Sequence, residues 1–348
     1  MRQTLQIFRY SFLGLCCLSI FIIIAGCSAL TGEHGNAFQM ATANDTPASC
    51  NEAGTFLAKW GSLGNGDGQF HDPADVGVDD KDDLYVVDRE NSRIQKFNSS
   101  GAYVAQWGSI GSGDGQFSYP SGVSEDRNYP FVAVADTANN RIQLYDHDNK
   151  FVHSFGSFGN GDGQLSAPQA GVFIFPSVAL LVSDGGNHRL QWFDMSAGNG
   201  VFLKKFGSEG SGDGQFSFPS DIVVDSAWNF YVADTGNHRI QKFAAKTEDL
   251  SVRADFLTKW GSNGNGDGQF SFPSGLAVDS LGNVYVADTG NHRIQKFDAS
   301  GNFLAKWGSE GSSDGQFSNP AGVAVDSLGN VYVADTGNHR IQKFCGGN

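Results

Sequence analysis

Residues 275–297 read GLAVDSLGNVYVADTGNHRIQKF, and residues 322–344 repeat the string with a single change, Leu276 to Val323. In the first copy, apolar and polar positions alternate in three short runs. These are Leu276-Ala277-Val278, Val284-Tyr285-Val286-Ala287 and Arg293-Ile294-Gln295-Lys296-Phe297, separated by Ser-Leu-Gly and Asp-Thr-Gly-Asn. Period-two alternation bounded by Gly, Asn and Asp predicts three antiparallel strands, a, b and c, joined by tight turns. After Asp-Ala-Ser-Gly a fourth run, Phe303-Leu304-Ala305-Lys306-Trp307, predicts strand d.

Working outward, FLAKWGSLGNGDGQF at 56–70 carries strand d and the loop that follows it, and related segments begin at 103, 151, 202, 256 and 303, a spacing of 47 to 54 residues. A unit of four short strands recurring at this period predicts an all-β, six-bladed β-propeller of four-stranded antiparallel blades. The ends are offset: the repeats start with a strand d, Phe56 to Trp60, and finish with a strand c, Arg340 to Phe344. The N-terminal strand d is therefore expected to complete the blade begun by the last a, b and c strands, which closes the ring without a free edge.

These units resemble the NHL repeat, whose signature stretch is Asn-His-Arg here at 187–189, 237–239, 291–293 and 338–340. The resemblance covers about residues 54–345 and implies the same propeller. Blades one and two depart from it with Asn91-Ser92-Arg93 and Asn139-Asn140-Arg141, and blade three departs most. Its first strand runs Gln169 to Phe175 without the usual terminal Asp, and Leu165 stands in place of Phe.

The N-terminus reads as an address. Arg2 and Arg9 precede an apolar run from Tyr10 to Ala25 that ends in Ile24-Ala25-Gly26-Cys27, as in a secretory signal. The ending resembles the lipobox of bacterial lipoproteins, which implies cleavage before Cys27, a lipid on Cys27 and, with Ser28 next, outer-membrane sorting in a host that has one. The expected organisation is a signal peptide at 1–26, a flexible polar tether at 27–54 and the propeller at 55–348, displayed on the cell envelope. Three cysteines remain after cleavage. Aligning Gly54 with Gly101 places Cys50 at the position of Phe97 and Cys345 one place later, where the ring joins. A Cys50–Cys345 disulfide is expected there, contributing roughly 2–5 kcal/mol; two free thiols are the alternative.

The formal charge is −14. Removing residues 1–27, with two arginines and no acids, makes it −16. Such a surface repels nucleic acid, which is excluded as a partner. Two polar sets recur in every blade. The first pairs Asp88 with Arg93, Asp136 with Arg141, Asp184 with Arg189, Asp234 with Arg239, Asp288 with Arg293 and Asp335 with Arg340. A set required by all blades reads as structural, with Asp capping the b–c turn, Gly supplying a positive φ and Arg pairing with Asp; a ring of acid–base or metal sites is the alternative. The second set is the acid of each d–a loop, Asp67, Asp114, Asp162, Asp213, Asp267 and Asp314. One carboxylate per loop falls short of the oxygen ligands that calcium requires, so a tight Asp-Gly turn with the following Phe plugged between blades is expected. Loops d–a and b–c share a face, and those aspartates make it the candidate ligand or partner surface. The c–d segments Asp194–Gly200 and Ala244–Asp255 read as surface insertions on the opposite face.

The family includes the peptidylglycine-amidating lyase, which Asp88-Arg89-Glu90-Asn91-Ser92-Arg93-Ile94-Gln95 resembles. That resemblance implies zinc-binding histidines just after the Pro that opens strand a. The matching residues are Ala74, Ser121, Gln169, Ser220, Ser274 and Ala321, none of them His. The balance favours a non-catalytic binding or scaffold module with a protein or carbohydrate partner, a membrane contact through Cys27 and no cofactor. The alternative is a lactonase-like or lyase-like channel enzyme using calcium or zinc, with Asp75, Glu125, Asp221 and His71 as first suspects.

Overall fold

A computed structural model describes residues 50–125, 131–174, 178–248 and 251–347. The expected signal segment, the lipobox and Cys27 lie outside the described residues. The described chain forms six four-stranded antiparallel sheets, each in the order a-b-c-d. Blade five is Pro273–Val278, Val284–Asp288, Arg293–Phe297 and Phe303–Trp307. The sixth sheet combines Pro320–Val325, Asn330–Asp335 and Arg340–Cys345 with Phe56–Trp60. The N-terminal strand thus closes the ring as its register in the sequence demands. Gly54 donates its N–H to Cys345 O (2.8 Å) and Cys345 its own to Thr55 O (2.9 Å). The Cys50–Cys345 disulfide lies beside this joint, with Cα atoms 5.1 Å apart across 295 residues of sequence, so the last five residues of the expected tether are already bound to the propeller.

Blade three opens with Pro168–Ile174; Phe175 lies outside the described residues. The expected c–d insertion Ala244–Asp255 is corrected. Strands c (Arg239–Glu248) and d (Ser251–Trp260) of blade four continue pairing through Ala244↔Asp255 and Lys246↔Arg253 to Glu248↔Ser251. Extending a hairpin satisfies the backbone groups that an irregular loop of that length would leave to water.

The repeated aspartates are wholly buried. Asp288 shows how. Its Oδ1 accepts the N–H of Ser271 (2.7 Å), its Oδ2 accepts Arg293 Nε (2.7 Å) and Gln295 Nε2 (3.0 Å), and Asn291 donates to both oxygens. The remaining guanidinium nitrogens of Arg293 donate to the carbonyls of Asn265, Gly266 and Gln269 in the d–a loop. Blade three, the most divergent in sequence, keeps the same arrangement. Arg189 donates Nε to Asp184 (2.7 Å) and its other nitrogens to the carbonyls of Asn160, Gly161 and Gln164. The pairs of Arg93, Arg141, Arg239 and Arg340 with Asp88, Asp136, Asp234 and Asp335 complete the six, all at 2.6–2.7 Å. A buried carboxylate is tolerable when its lone pairs are filled in this way.

Two details of the expected turn are corrected. In the five blades where a 3-10 turn follows strand b, Asp136, Asp184, Asp234, Asp288 and Asp335 make no side-chain cap to that turn. Their oxygens are committed to the d–a loop, to the Asn of the turn and to strand c, where Arg189 and its five counterparts stand. The positive φ falls on the residue just before each of these arginines and not on the Gly of the turn: His188 before Arg189, and likewise Ser92, Asn140, His238, His292 and His339. That Gly is required for space, since a Cβ on Gly290 would lie 2.5 Å from Ser271 Oγ.

Three kinds of contact join neighbouring blades, and the seams that follow blades four, five and six carry all three. Phe70, Phe117, Leu165, Phe216, Phe270 and Phe317 have no exposed surface and fill the seams as expected. Thr137, Thr235, Thr289 and Thr336 donate to the strand-a Pro carbonyl of the next blade, at 2.7–2.8 Å. The signature histidines accept, through Nδ1, the backbone N–H of the next blade's Asp72, Phe218, Phe272 or Asn319, at 3.0–3.2 Å.

Candidate functional site

Strands a line the central channel, and the residues two places after each opening Pro form a ring of six: Asp75, Gly122, Ala170, Asp221, Gly275 and Gly322. The small residues are dictated by crowding, since a Cβ on Gly275 would come within 2.2 Å of Ala321 O and one on Gly122 within 2.4 Å of Gln169 O. The carboxylates stand on blades one and four, opposite each other in a six-membered ring. Each reaches to the next blade. Asp75 Oδ2 accepts Val123 N–H (3.0 Å), and Asp221 Oδ2 accepts Leu276 N–H (2.7 Å). Asp221 Oδ1 also accepts the N–H of Ile222 (2.7 Å). The two aspartates thus occupy equivalent settings related by half a turn of the propeller.

Enclosure perturbs both. Burial, and then the charge of Asp221, raises the Asp75 carboxyl well above the usual carboxylate range, against the pull of the Val123 and Val76 N–H groups and of Arg89. Burial pushes Asp221 up to about 7, opposed by its bonds from Leu276 and Ile222. Deep as they are, both carboxyls still line open space. The pocket above the ring, at the end where strands a begin, contains about 350 Å³, part of it open to solvent. The chamber below is lined mainly by strand-a valines, with Glu125 on its wall.

The six positions after the opening Pro, Ala74, Ser121, Gln169, Ser220, Ser274 and Ala321, all line the upper pocket. The residues that the resemblance to the lyase would make zinc ligands thus line the pocket, and none of them is a histidine. Ser121, Ser220 and Ser274 are occupied in bonds to the Gln169, Ser274 and Ala321 carbonyls (2.8–2.9 Å). Among the described residues no cluster of three or more His, Cys, Asp or Glu side chains is arranged to hold a metal ion. Of the four suspects for channel chemistry, Asp75 and Asp221 converge and Glu125 sits in the chamber beneath. His71 stays outside, exposed, with its ring 5.6 Å from that of His339.

Sequence reasoning missed Arg89. It occupies the place held by Thr137, Thr235, Thr289 and Thr336 in other blades, and its side chain lines the upper pocket. The signal was available by aligning Asp88-Arg89 with the four Asp-Thr pairs. On the loop face, Asp162, Asp213, Asp267 and Asp314 are about half exposed and form ion pairs with Lys205, Lys259, Lys306 and Lys59 of strand d. Asp67 interacts with Tyr103. These carboxylates are spread over six loops and do not converge.

The carboxyl pair makes a prediction. A carboxyl whose folded pKa is raised binds its proton more tightly in the folded state, so its stabilising effect is complete near pH 4 and is lost as pH rises through about 7. Raising the pH from 5 to 8 is expected to destabilise the native chain by on the order of 1–3 kcal/mol more than it destabilises Asp221→Gly. Urea denaturation of both proteins at the two pH values checks this; identical pH dependence would contradict it.

The NHL repeat family model matches residues 70–97, 216–243, 270–297 and 317–344, in each case from the seam Phe to the aromatic end of strand c. NHL repeat-containing protein 3 of Homo sapiens is 35% identical over 89 residues, 24% of this chain and 23% of that protein. A probable peptidyl-alpha-hydroxyglycine alpha-amidating lyase of Caenorhabditis elegans, pgal-1, is 35% identical over 92 residues, 26% and 25% of the two chains. The similarity therefore spans about a quarter of each relative's length. Among solved structures, a Bacteroides thetaiotaomicron structural genomics protein of unknown function superposes with a TM-score of 0.60 at 18% identity, over 83% of this chain and 76% of that one; at that identity the likeness speaks for the fold alone. Repeat signature, blade geometry and ring closure agree: the chain carries NHL repeats at these four stretches and folds as a six-bladed β-propeller.

Proposed function

We propose that this propeller is an exported, lipid-anchored binding module of the bacterial cell envelope, and that it engages a protein partner through the face carrying the d–a and b–c loops. One observation supports the choice of face. The tips of three consecutive d–a loops present Leu63, Ile110 and Phe158 at 60%, 78% and 74% exposure, where the other three loops carry Glu209, Asn263 and Glu310. Tyr119, Phe218 and Phe272 are exposed on the same face, at the residue before the Pro of strand a. A grouped set of exposed apolar side chains is the usual mark of a protein-binding surface. The repeated polar residues are consumed by the fold, so the differences between blades are what remains to be recognised.

The anchor rests on Ile24-Ala25-Gly26-Cys27 after an apolar run, and export fits the Cys50–Cys345 disulfide. Channel chemistry is the second reading, favoured by Asp75 and Asp221 alone.

The two parts are tested separately. Radiolabelled palmitate fed to the producing cells is expected to enter the wild-type chain and not Cys27→Ala; equal labelling of both would remove the anchor. The combined variant Leu63→Glu, Ile110→Asn, Phe158→Glu places at each tip the residue found three blades away and is expected to fold normally. Crosslinking on intact envelopes is expected to give a discrete adduct with wild type that this variant loses. An adduct of unchanged yield would place the partner elsewhere.

A further inference from the structure

Arg89 is the basic residue of the upper pocket, and among the described residues its guanidinium donates no hydrogen bond. The arginines that follow the b–c turns are engaged with their aspartates and with loop carbonyls, as Arg189 and Arg293 show. Burial pulls the Arg89 pKa down, opposed by the charges of Asp72, Glu90 and Asp75, but a guanidinium stays protonated in such a setting. In four other blades a threonine at this position ties its blade to the next. Blade one has given up that link and placed a cation in the lining of the pocket.

Beneath it sit Asp75 and Asp221, which likewise break the repeat. The equivalent residues in the other blades are Gly122, Ala170, Gly275 and Gly322. Three charged side chains have been introduced where the repeat has none, and all three border one pocket. Their signs are separated: a forked donor lies at the mouth and two acceptors at the floor. A pure anion would meet Arg89, itself already beside Asp72 and Glu90, and would leave the two floor carboxyls unused. A pure cation would meet the floor but be opposed by Arg89. A small molecule bearing both charges on groups attached to one carbon satisfies both ends at once. The enclosed part of the space, about 70 Å³, holds roughly five water-sized groups, which suits a ligand of a few heavy atoms.

We infer that the upper channel pocket is a binding site for a small α-amino acid, with the ligand carboxylate held by Arg89 and its ammonium group by Asp75 and Asp221. Recognition of the carboxylate is bidentate, as guanidinium geometry allows. An ammonium group between the two aspartates replaces the repulsion that otherwise keeps a proton there. This site is separate from the loop-tip surface and does not depend on it.

The repeat itself supplies variants that leave the fold intact. Arg89→Thr restores the residue of four other blades, and Asp221→Gly installs that of blades two, five and six. The full chain, dialysed into a buffer free of amines and carboxylates, is titrated calorimetrically with glycine, alanine and phenylalanine, and with acetate and methylammonium as single-charge controls. At least one amino acid is expected to bind at a single site, with each variant weakening it by about tenfold or more and each control binding about tenfold or more weaker. Three results would overturn the assignment: no heat from any of the amino acids at millimolar concentration, amino-acid binding unchanged in Arg89→Thr and Asp221→Gly, or acetate binding as well as the amino acids, which would make this a simple anion site.

Discussion

The buried aspartate at the end of each strand b is the constraint on which the rest depends. A carboxylate without exposed surface must have its oxygens filled, and here each is filled from three directions: the d–a loop backbone, the Asn of the b–c turn, and the Arg and Gln of strand c. That requirement fixes Asn, Arg and Gln three, five and seven residues later, which is most of the motif in Asp288-Thr-Gly-Asn-His-Arg-Ile-Gln. It holds equally in blade three, where Asp184, Asn187, Arg189 and Gln191 keep the spacing although the first strand has drifted. It also fixes the d–a loop, whose carbonyls must face the guanidinium. With that loop in place, the following Phe drops into the seam and the histidine meets the next blade. The ring follows from one carboxylate solved the same way six times.

Symmetry keeps the ring together but leaves little for a partner to distinguish, because a side chain needed by every blade is already occupied. The residues free to act are those that differ: Arg89, Asp75 and Asp221 in the channel, and Leu63, Ile110 and Phe158 at the loop tips. The channel residues have displaced a threonine or a small residue, and the substitutions leave charge in an enclosed space. Such local departures from an otherwise consistent pattern are where function is expected to reside.

The fold was legible in the sequence because its period is long and its strands alternate cleanly. The d-first, c-last offset sufficed to place Phe56–Trp60 beside Arg340–Cys345 and to bring Cys50 to Cys345. The hairpin through Ala244–Asp255 was not legible, because Ala, Lys, Thr and Glu suit an edge strand and a loop about equally well. The positive φ was assigned to Gly when the backbone places it on His, a distinction that composition does not carry. For the site, Asp75 and Asp221 announced themselves as irregular acids near strand a. Arg89 did not, because it lies inside a segment read for its likeness to a lyase and not for its difference from the neighbouring blades. His71 drew notice as a histidine near a strand-a proline, yet it lies outside the channel.

The central claim, that the repeated Asp–Arg set is architectural and the d–a loop acids are not, is tested most directly by comparing Asp288→Ala with Asp267→Ala in equilibrium denaturation at neutral pH. Asp288 is buried and its loss strands Arg293, so destabilisation of about 3–5 kcal/mol is expected. Asp267 is half exposed in a pair with Lys306, so its loss is expected to change stability by less than about 1 kcal/mol. Equal, small effects from the two substitutions would contradict the account.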